Sequence, residues 1–198
     1  MNININSINN CNAENSIEQI SLLVYEGFKS KFTRKLFNDQ EVLDVITAFC
    51  KYLISVKPEK LFVSEYNGKL YGCLFLTTNE EKYYDLYYSL KKELSFSQCL
   101  RLILLLSVLS HKPQHNESYI DFLAVAPEFR NKGIGKALVS HCKNIFPKKE
   151  ITLHVAEQNY RAYQLYNKLG FKIIKKQSSF IMELVVGLRG WRLMKWEQ

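Results

Sequence analysis

Apolar residues recur at helical spacing in two segments near the start of the chain, one beginning at Ser16 and one running from Asp39 to about Pro58. One apolar residue every three to four positions places these side chains on one helix face, as is typical of helices that pack on a core. The alternating segment Met1–Asn6 precedes them and predicts a short edge strand. We therefore expect a strand and two amphipathic helices before the main sheet.

Two β-rich runs, Leu61–Glu65 and Lys69–Thr77, follow and are joined by Tyr66-Asn67-Gly68. Asn-Gly tolerates the positive φ angles of a tight turn, so this pattern predicts a β-hairpin. From Glu80 to His111 the apolar spacing is again helical and indicates one broken helix or two.

The rest of the chain alternates between strand and helix patterns. The predicted elements are, in order, a strand at Tyr119–Val125, a helix whose apolar face is formed by Ile134, Ala137, Leu138, His141 and Ile145, a strand at Ile151–Val155, a helix at Tyr160–Leu169 between the N-cap Asn159 and Gly170, and two β-rich stretches, Phe171–Lys175 and part of Phe180–Trp196. The order β-α-α-β-β-α-β-α-β-α-β-β predicts a mixed α/β fold. We expect a single domain over residues 1–198 with a helical elaboration at about 80–111.

Composition excludes several classes of protein. The longest apolar run lies within Leu100–Leu109 and is far shorter than the roughly 20 residues of a membrane span. The first residues, MNININSINN, lack the charged and apolar regions of a signal peptide. The five cysteines form no CxxC pair, and the four histidines have no companion ligands at zinc spacing. We expect a cytoplasmic protein with no disulfide, no metal and no membrane partner.

Positive charge is concentrated in the last third of the chain. Residues 126–198 hold 14 Lys/Arg and 5 Asp/Glu, whereas the whole chain carries a net charge of only +8. A basic segment suits a polyanion such as nucleic acid, an anionic membrane surface or a phosphorylated cofactor. Charge alone does not separate these from a solvated basic face.

A basic loop with two glycines, Arg130–Lys136, lies between the strand that ends at Val125 and the next helix. The first N–H groups of a helix have no internal partner and its dipole favours anions, so this position suits phosphate. Arg130, Lys132 and Lys136 add charge, and the glycines permit close approach to the backbone. A pyrophosphate is therefore the expected anion, although a basic turn that only caps a helix also fits the loop taken alone.

Two other phosphate-binding loop motifs match this segment less well. The dinucleotide fingerprint requires a small residue where Leu138 stands, and the nucleoside-triphosphate loop requires Lys-Ser/Thr where Lys136-Ala137 stand.

The segment Arg130–Gly135 resembles the acyl-CoA motif of GNAT-type N-acetyltransferases, Arg/Gln-x-x-Gly-x-Gly/Ala, within the longer similar string Phe122–Arg130. A second signature of that family, Asn-x-x-Ala-x-x-Leu-Tyr-x-x-x-Gly-Phe, is similar to Asn159–Phe171. The resemblance implies a GNAT-like fold, a mostly antiparallel central sheet flanked by helices. It also implies transfer of an acetyl group from acetyl-CoA, with no metal, to a primary amine of a small molecule or peptide.

The resemblance also implies roles for individual residues. Tyr166 would be the general acid that protonates the thiolate of coenzyme A, although a tyrosine on an apolar helix face also fits a core position. Main-chain groups of the loop would hold the pyrophosphate, and the strand before it would pair with the pantetheine arm. The implied cofactor-binding residues are Leu123, Val125, Arg130, Asn131, Lys132, Gly133, Ile134, Gly135, Lys136 and Asn159. Asn131 departs from the pattern, because many family members have glycine there.

The resemblance does not fix a general base. Asp121, on the strand leading to the loop, and Glu65, at the end of the first hairpin strand, are the candidates, acting directly or through water. Each also fits an ordinary surface or hydrogen-bonded carboxylate.

Three functions stay open at this point. The first is an N-acyltransferase that works by direct attack of the amine in a ternary complex. The second is a non-catalytic acyl-CoA-binding module. The third, a nucleic-acid-binding protein, lacks a helix-turn-helix, finger or aromatic RNA-binding signature, so we expect no nucleic-acid partner. A homodimer is a further expectation, and the acceptor is not identified by the sequence.

Overall fold

The computed structural model describes residues 4–11, 15–33, 36–79, 85–147 and 150–197. Strand β1 (Asn4–Ser7) and helices α1 (Ser16–Thr33) and α2 (Asp39–Val56) open the fold, as predicted. Residues 1–3 of the predicted strand lie outside the described residues. A reciprocal capping box starts α2, because the Asn38 side chain accepts from the Glu41 N–H and the Glu41 carboxylate accepts from the Asn38 N–H.

The predicted hairpin is confirmed as β2 (Leu61–Tyr66) and β3 (Lys69–Thr78). Asn67 (φ 50°) and Gly68 (φ 72°) form its turn, with the left-handed backbone that Asn-Gly tolerates. The helical stretch that follows contains two helices, α3 (Leu86–Leu90) and α4 (Phe96–Leu109). Residues 80–84 of that stretch lie outside the described residues.

The last part of the chain contains one helix more than the sequence pattern predicts. The elements are β4 (Glu117–Val125), α5 (Ile134–Ile145), β5 (Glu150–Ala156), α6 (Tyr160–Lys168), β6 (Phe171–Ser178), α7 (Phe180–Val186) and β7 (Gly190–Trp196). The stretch assigned to α7 is apolar and β-branched, so its composition favours a strand. It is nevertheless helical, because the Ser179 side chain caps its first turn and Gly187 (φ 72°) ends it.

The described strands form one seven-stranded sheet in the order β1-β2-β3-β4-β5-β7-β6. All neighbouring pairs are antiparallel except β4 and β5, which are parallel. This arrangement confirms the expected mixed and mostly antiparallel sheet.

Helices cover both faces of the sheet. On one, which we call the α1 face, Cys73, Phe75 and Ala124 pack in a core with α1, α2 and α4. On the other, the α5 face, Leu74, Leu76 and Ile120 share a core with α5. Because successive strand residues alternate between faces, the face of each functional side chain follows from its position in the strand.

The parallel strands β4 and β5 separate part-way along the sheet. They pair only from Glu117–Ile120 against Glu150–Leu153. Asp121 then forms a bulge in β4, since Ile120 faces Leu76 and Phe122 faces Phe75. Beyond that point β4 pairs with β3 alone, and β5 pairs with β7. The sheet therefore opens between the ends of β4 and β5.

Candidate functional site

The basic loop connects the open end of β4 to helix α5. Gly133 (φ 87°) is the N-cap of α5, and no side chain caps that end of the helix. Asn131 also has a left-handed backbone (φ 64°), a conformation favoured by glycine and, among other residues, by asparagine. The departure from glycine at this position is therefore compatible with the loop geometry.

Five N–H groups at this helix end lack a hydrogen-bond acceptor within the described part of the chain. They belong to Asn131, Gly133, Ile134, Gly135 and Lys136. The N–H of Arg130 donates to the Pro127 carbonyl and that of Lys132 to the Phe129 carbonyl, so these two are already used inside the loop. Unpaired donors beside a positive helix dipole form an anion site that a pyrophosphate can fill.

The free edge of β4 leads directly to this anion site. The Ala126 N–H donates to the Tyr71 carbonyl of β3, and strand alternation then turns the main-chain groups of Leu123 and Val125 away from β3, towards the opening. The Val125 carbonyl accepts from Nε of Arg130, whose Nη2 also donates to the Glu26 carbonyl of α1. An extended ligand can thus pair with Leu123 as an added strand.

Gly135 brings the loop, β4 and α6 together. A Cβ at this position would lie 3.3 Å from Cδ2 of Leu165 on α6 and 3.6 Å from Cδ2 of Leu123 on β4. Glycine therefore lets the start of α5 approach both elements closely, which places α6 beside the opening.

Tyr166 follows Leu165 on α6 and lies on the α5 face. It is 8% exposed, its ring packs edge-on against Phe171, and burial raises its pKa to about 12. A core tyrosine normally finds a partner for its hydroxyl. Among the described residues the Tyr166 hydroxyl has none, so it can donate a proton to a ligand. Asn159 caps α6, its side chain accepting from the Ala162 N–H at 3.1 Å.

The two candidate bases occupy different parts of the sheet. Asp121 lies at the β4 bulge beside the opening and accepts a hydrogen bond from the Thr77 hydroxyl on the α1 face. Glu65 is on β2, two strands and so about 10 Å away. Its carboxylate accepts from the thiol of Cys11 at 3.2 Å. The structure therefore brings Asp121, and not Glu65, to the opening.

The structure adds a pair of groups that the sequence interpretation missed. The hydroxyl of Tyr119 on β4 lies 3.0 Å from Nδ1 of His154 on β5, and His154 Nε2 lies 2.9 Å from Oε1 of Gln177. Because an amide oxygen only accepts, Nε2 carries the proton and Nδ1 accepts from Tyr119. The signal was present in the alternation of the two strands, but it becomes informative only once their register is known.

Burial keeps both members of this pair uncharged. It raises the pKa of Tyr119 well above its ordinary value, and the nearby Asp121 charge adds to that effect. Burial also lowers the pKa of His154 below 6.5, which outweighs the opposite effect of the Gln177 hydrogen bond. His154 is therefore a neutral imidazole near pH 7.

Three further observations concern a cysteine nucleophile, a metal site and a membrane span. Cys142 is buried and burial raises its pKa to about 12, so it is not a thiolate nucleophile. In the ranges that the structure describes, no three or more His, Cys, Asp or Glu side chains are grouped so that they could hold a metal ion. Within the same ranges, no helix has the length and apolarity to span a membrane.

Solved structures share this fold. An N-acetyltransferase from Staphylococcus aureus Mu50 superposes with a TM-score of 0.69 at 17% identity, covering 97% of this chain and 99% of that one. Arabidopsis thaliana Naa50, solved with a bisubstrate analogue, superposes with a TM-score of 0.57 at 19% identity over the full length of both chains.

Curated relatives match over a shorter segment. The peptidyl-lysine N-acetyltransferase YjaB of Salmonella typhimurium is 42% identical over 55 residues, which is 28% of this chain and 37% of that protein. Mouse cysteine-rich protein 2-binding protein is 44% identical over 59 residues, 30% of this chain and 7% of that protein. The match thus spans well under half the length of each.

The family model described as "Acetyltransferase (GNAT) family" matches residues 23–171, from α1 to the first residue of β6. That range contains the hairpin, the open β4 edge, the basic loop and α6. The chain therefore belongs to the GNAT acetyltransferase family.

Proposed function

We propose that this protein transfers an acetyl group from acetyl-CoA to a primary amine of a small molecule or peptide, by direct attack in a ternary complex. One observation carries the proposal: the opening between β4 and β5 joins a free strand edge to a cluster of N–H groups and to the Tyr166 hydroxyl, none of which has a hydrogen-bond partner among the described residues. Each of these features suits a different part of one extended acyl-CoA molecule.

The residues present fit the cofactor half of the reaction. The pyrophosphate is held by the free N–H groups from Asn131 to Lys136, with the Lys132 and Lys136 side chains adding positive charge. The pantetheine arm pairs with the main chain of Leu123 and passes Asn159 on the way to Tyr166. A phosphorylated cofactor bound in this way accounts for the positive charge of the last third of the chain.

The acceptor amine approaches from the α1 face, where Asp121 and the Tyr119–His154 pair lie. Its ammonium loses a proton through water, either to Asp121 or, by a relay through the Tyr119 hydroxyl, to Nδ1 of neutral His154. The nitrogen then bonds to the thioester carbonyl carbon, and the carbon–sulfur bond breaks. The departing thiolate takes a proton from Tyr166, and the second proton that the nitrogen loses as the amide forms returns to the Tyr166 oxygen. The first proton passes from the base to solvent, so the site is restored. Glu65 takes no part, because it lies two strands from the opening.

The acceptors named for similar proteins support an amine on a peptide or a small molecule. YjaB is named as a peptidyl-lysine N-acetyltransferase. A relative from Pseudomonas phage PaMx11, 35% identical over 57 residues, is named as a 5-NmdU N-acetyltransferase. The Naa50 structure contains the bisubstrate analogue CoA-Ac-MVNAL. We further infer a cytoplasmic location, where acetyl-CoA is available.

Calorimetric titration with acetyl-CoA and with acetyl-pantetheine tests the cofactor half. We expect micromolar binding of acetyl-CoA and at least tenfold weaker binding of acetyl-pantetheine, which lacks the pyrophosphate. A thiol-release assay against polyamines, aminoglycosides, amino acids and peptides then tests turnover. Binding without release from any acceptor would instead favour the non-catalytic acyl-CoA-binding module, and no binding would exclude both.

A further inference from the structure

Lys31, in the last turn of α1, has its ammonium between two aromatic rings. Nζ lies 4.8 Å from the ring centre of Phe28 and 5.2 Å from that of Trp191 on β7. Phe28 in turn packs edge-on against Phe122 of β4, with ring centres 6.1 Å apart. The ammonium is therefore positioned on the α1 face of the sheet, the side on which Asp121 and His154 lie.

The ammonium of Lys31 has no counter-ion within the ranges that the structure describes. Neither a carboxylate nor a hydrogen-bond acceptor contacts it there. Burial without a partner disfavours the charged form, and it lowers the pKa of Lys31 to about 8. Aromatic faces stabilise a cation only in part.

Three other lysines of the fold have a hydrogen-bond acceptor for the ammonium. Lys51 is paired with Glu93 at 2.6 Å, Lys195 with Glu150 at 2.7 Å, and Lys143 donates to the Leu169 carbonyl at 2.6 Å. Lys31 differs from them because it is only partly exposed and still lacks an acceptor among the residues that the structure describes.

Trp191 contributes a second unsatisfied donor at the same place. It is only 5% exposed, and its Nε1–H has no acceptor within the described residues. A buried N–H without a partner costs about 1–3 kcal/mol, so such groups usually have a ligand or a bound water. The Trp191 ring therefore carries an N–H donor and has a cation over its face, and neither group has an acceptor among the described residues.

We propose that Lys31 and Trp191 form a subsite for a carboxylate carried by the acceptor, so that the preferred acceptor has an amine at one end and a carboxylate at the other. This inference rests on the proposed acetyl transfer. Asp121 supplies the complementary negative charge, since it lies beside the opening where the amine must react. The two charges of the site therefore match a zwitterion in one orientation.

The sheet order gives the distance between the two ends of this acceptor. Asp121 is on β4 and Trp191 is on β7, two strand spacings or about 10 Å apart across the sheet. Trp191 pairs with Ala156, whereas Ile120, next to Asp121, pairs with Leu153, so the two residues are also offset by about 7–10 Å along the strands and lie about 12–14 Å apart. An α-amino acid is too short to reach both, because its two charged groups share one carbon. An ω-amino acid, or a short peptide with a free C-terminus, spans that separation.

Steady-state kinetics with matched acceptors tests the subsite. The acceptors are glycine, 4-aminobutyrate and 6-aminohexanoate, each compared with its amide, in which the carboxylate is absent. For the wild type we expect kcat/KM to be at least tenfold higher for 6-aminohexanoate than for its amide, with no such ratio for glycine. Turnover of each amide at the rate of its acid would overturn the subsite and leave the acetyl transfer standing.

Variants of two lysines on α1 distinguish recognition of the carboxylate by Lys31 from the effect of removing any positive charge from that helix. In Lys31→Gln we expect KM for 6-aminohexanoate to rise about tenfold, with kcat and the KM for acetyl-CoA unchanged. Lys31→Arg retains the charge and should retain most of the preference. Lys29→Gln is the control, because Lys29 is exposed and, within the described residues, its ammonium lies over the Tyr25 ring. Equal KM values in Lys31→Gln and the wild type would exclude the role.

A binding measurement does not depend on turnover. Tryptophan fluorescence of the wild type with bound coenzyme A should change on titration with hexanoate and not with hexanamide, and the change should be lost in Lys31→Gln. Thermal melting of each variant checks that it folds. If no amine is acetylated and hexanoate still binds through Lys31, the acetyl transfer fails and the carboxylate site stands. If hexanoate does not bind, the subsite is wrong.

Discussion

The hydroxyl of Tyr119 and Nδ1 of His154 are 3.0 Å apart across the only parallel strand pair among the described strands. They meet just where β4 and β5 begin to separate, so the pair borders the opening in which we propose that the acyl group binds. Gln177 fixes the imidazole tautomer from the other side. Because Nδ1 accepts from the Tyr119 hydroxyl, a neutral, oriented imidazole at this position can accept a proton from the acceptor amine by a relay through that hydroxyl.

Replacing His154 should change the pH dependence of the reaction. Because burial lowers its pKa below 6.5, the basic form predominates at neutral pH and is lost only as the pH falls through that lowered value. The acid limb of kcat/KM should therefore lie below pH 6.5. His154→Gln should reduce kcat/KM about 10²-fold and remove that limb.

His141→Gln provides the control for this experiment. His141 lies on α5 with its ring against Phe62, and burial also lowers its pKa. It is outside the opening, so its replacement should leave the pH profile unchanged. An acid limb that survives in His154→Gln would show that another group accepts the proton.

Tyr166→Phe should slow the chemical step without weakening cofactor binding. Burial raises the pKa of Tyr166 to about 12, so the hydroxyl keeps its proton throughout the physiological range and can donate it. Loss of a general acid costs about 10²- to 10⁴-fold in rate. We expect a fall of this size in kcat at saturating substrates, with the calorimetric Kd for acetyl-CoA unchanged.

Tyr163→Phe removes a hydroxyl from the same helix as a comparison. Its ring contacts the Arg192 guanidinium and is retained as phenylalanine. If Tyr163→Phe and Tyr166→Phe lose activity equally, the effect comes from α6 as a whole and not from proton donation.

Gly72→Ala should destabilise the fold. A Cβ at Gly72 would lie 2.8 Å from Cγ2 of Ile134 and 3.1 Å from the Ala124 carbonyl oxygen, so α5 would have to move away from β3. Overpacking of this kind costs about 1–3 kcal/mol, measurable as a lower midpoint of urea unfolding. In Gly27→Ala the new Cβ meets only the Ala124 side chain at an ordinary 3.4 Å and the Ala124 Cα at 4.0 Å. That helical substitution should be neutral or stabilising, and equal losses in both variants would contradict the packing argument.

Asn131 should tolerate glycine and not valine. Its φ of 64° is accessible to both asparagine and glycine, whereas a β-branched residue is strained there. Asn131→Gly should bind acetyl-CoA as the wild type does, and Asn131→Val should bind at least tenfold more weakly because the free N–H groups of the loop are displaced. Wild-type affinity in Asn131→Val would mean that the loop conformation is not required for binding.

The sequence predicts the parts of this site that depend on local pattern. The loop at Gly133, the N-cap at Asn159 and the hairpin turn at Gly68 are each specified by neighbouring residues. The pairing of Tyr119 with His154 is not, because it depends on the register of two strands separated by helix α5. Helix α7 was missed for a different reason, since its cap Ser179 and its stop Gly187 outweigh the strand preference of the residues between them.

The outer strand β6 has a consequence for solubility. It is the last strand of the described sheet, and all its side chains except Phe171 are exposed, Lys172, Lys175 and Lys176 among them. An open strand edge can pair with the edge of another molecule and start aggregation, and lysines on that edge oppose such pairing by repulsion. The irregular register between Ile173 and Lys175 further interrupts the ladder. Part of the positive charge in the last third of the chain therefore keeps these molecules apart in concentrated solution, whether or not any ligand is bound.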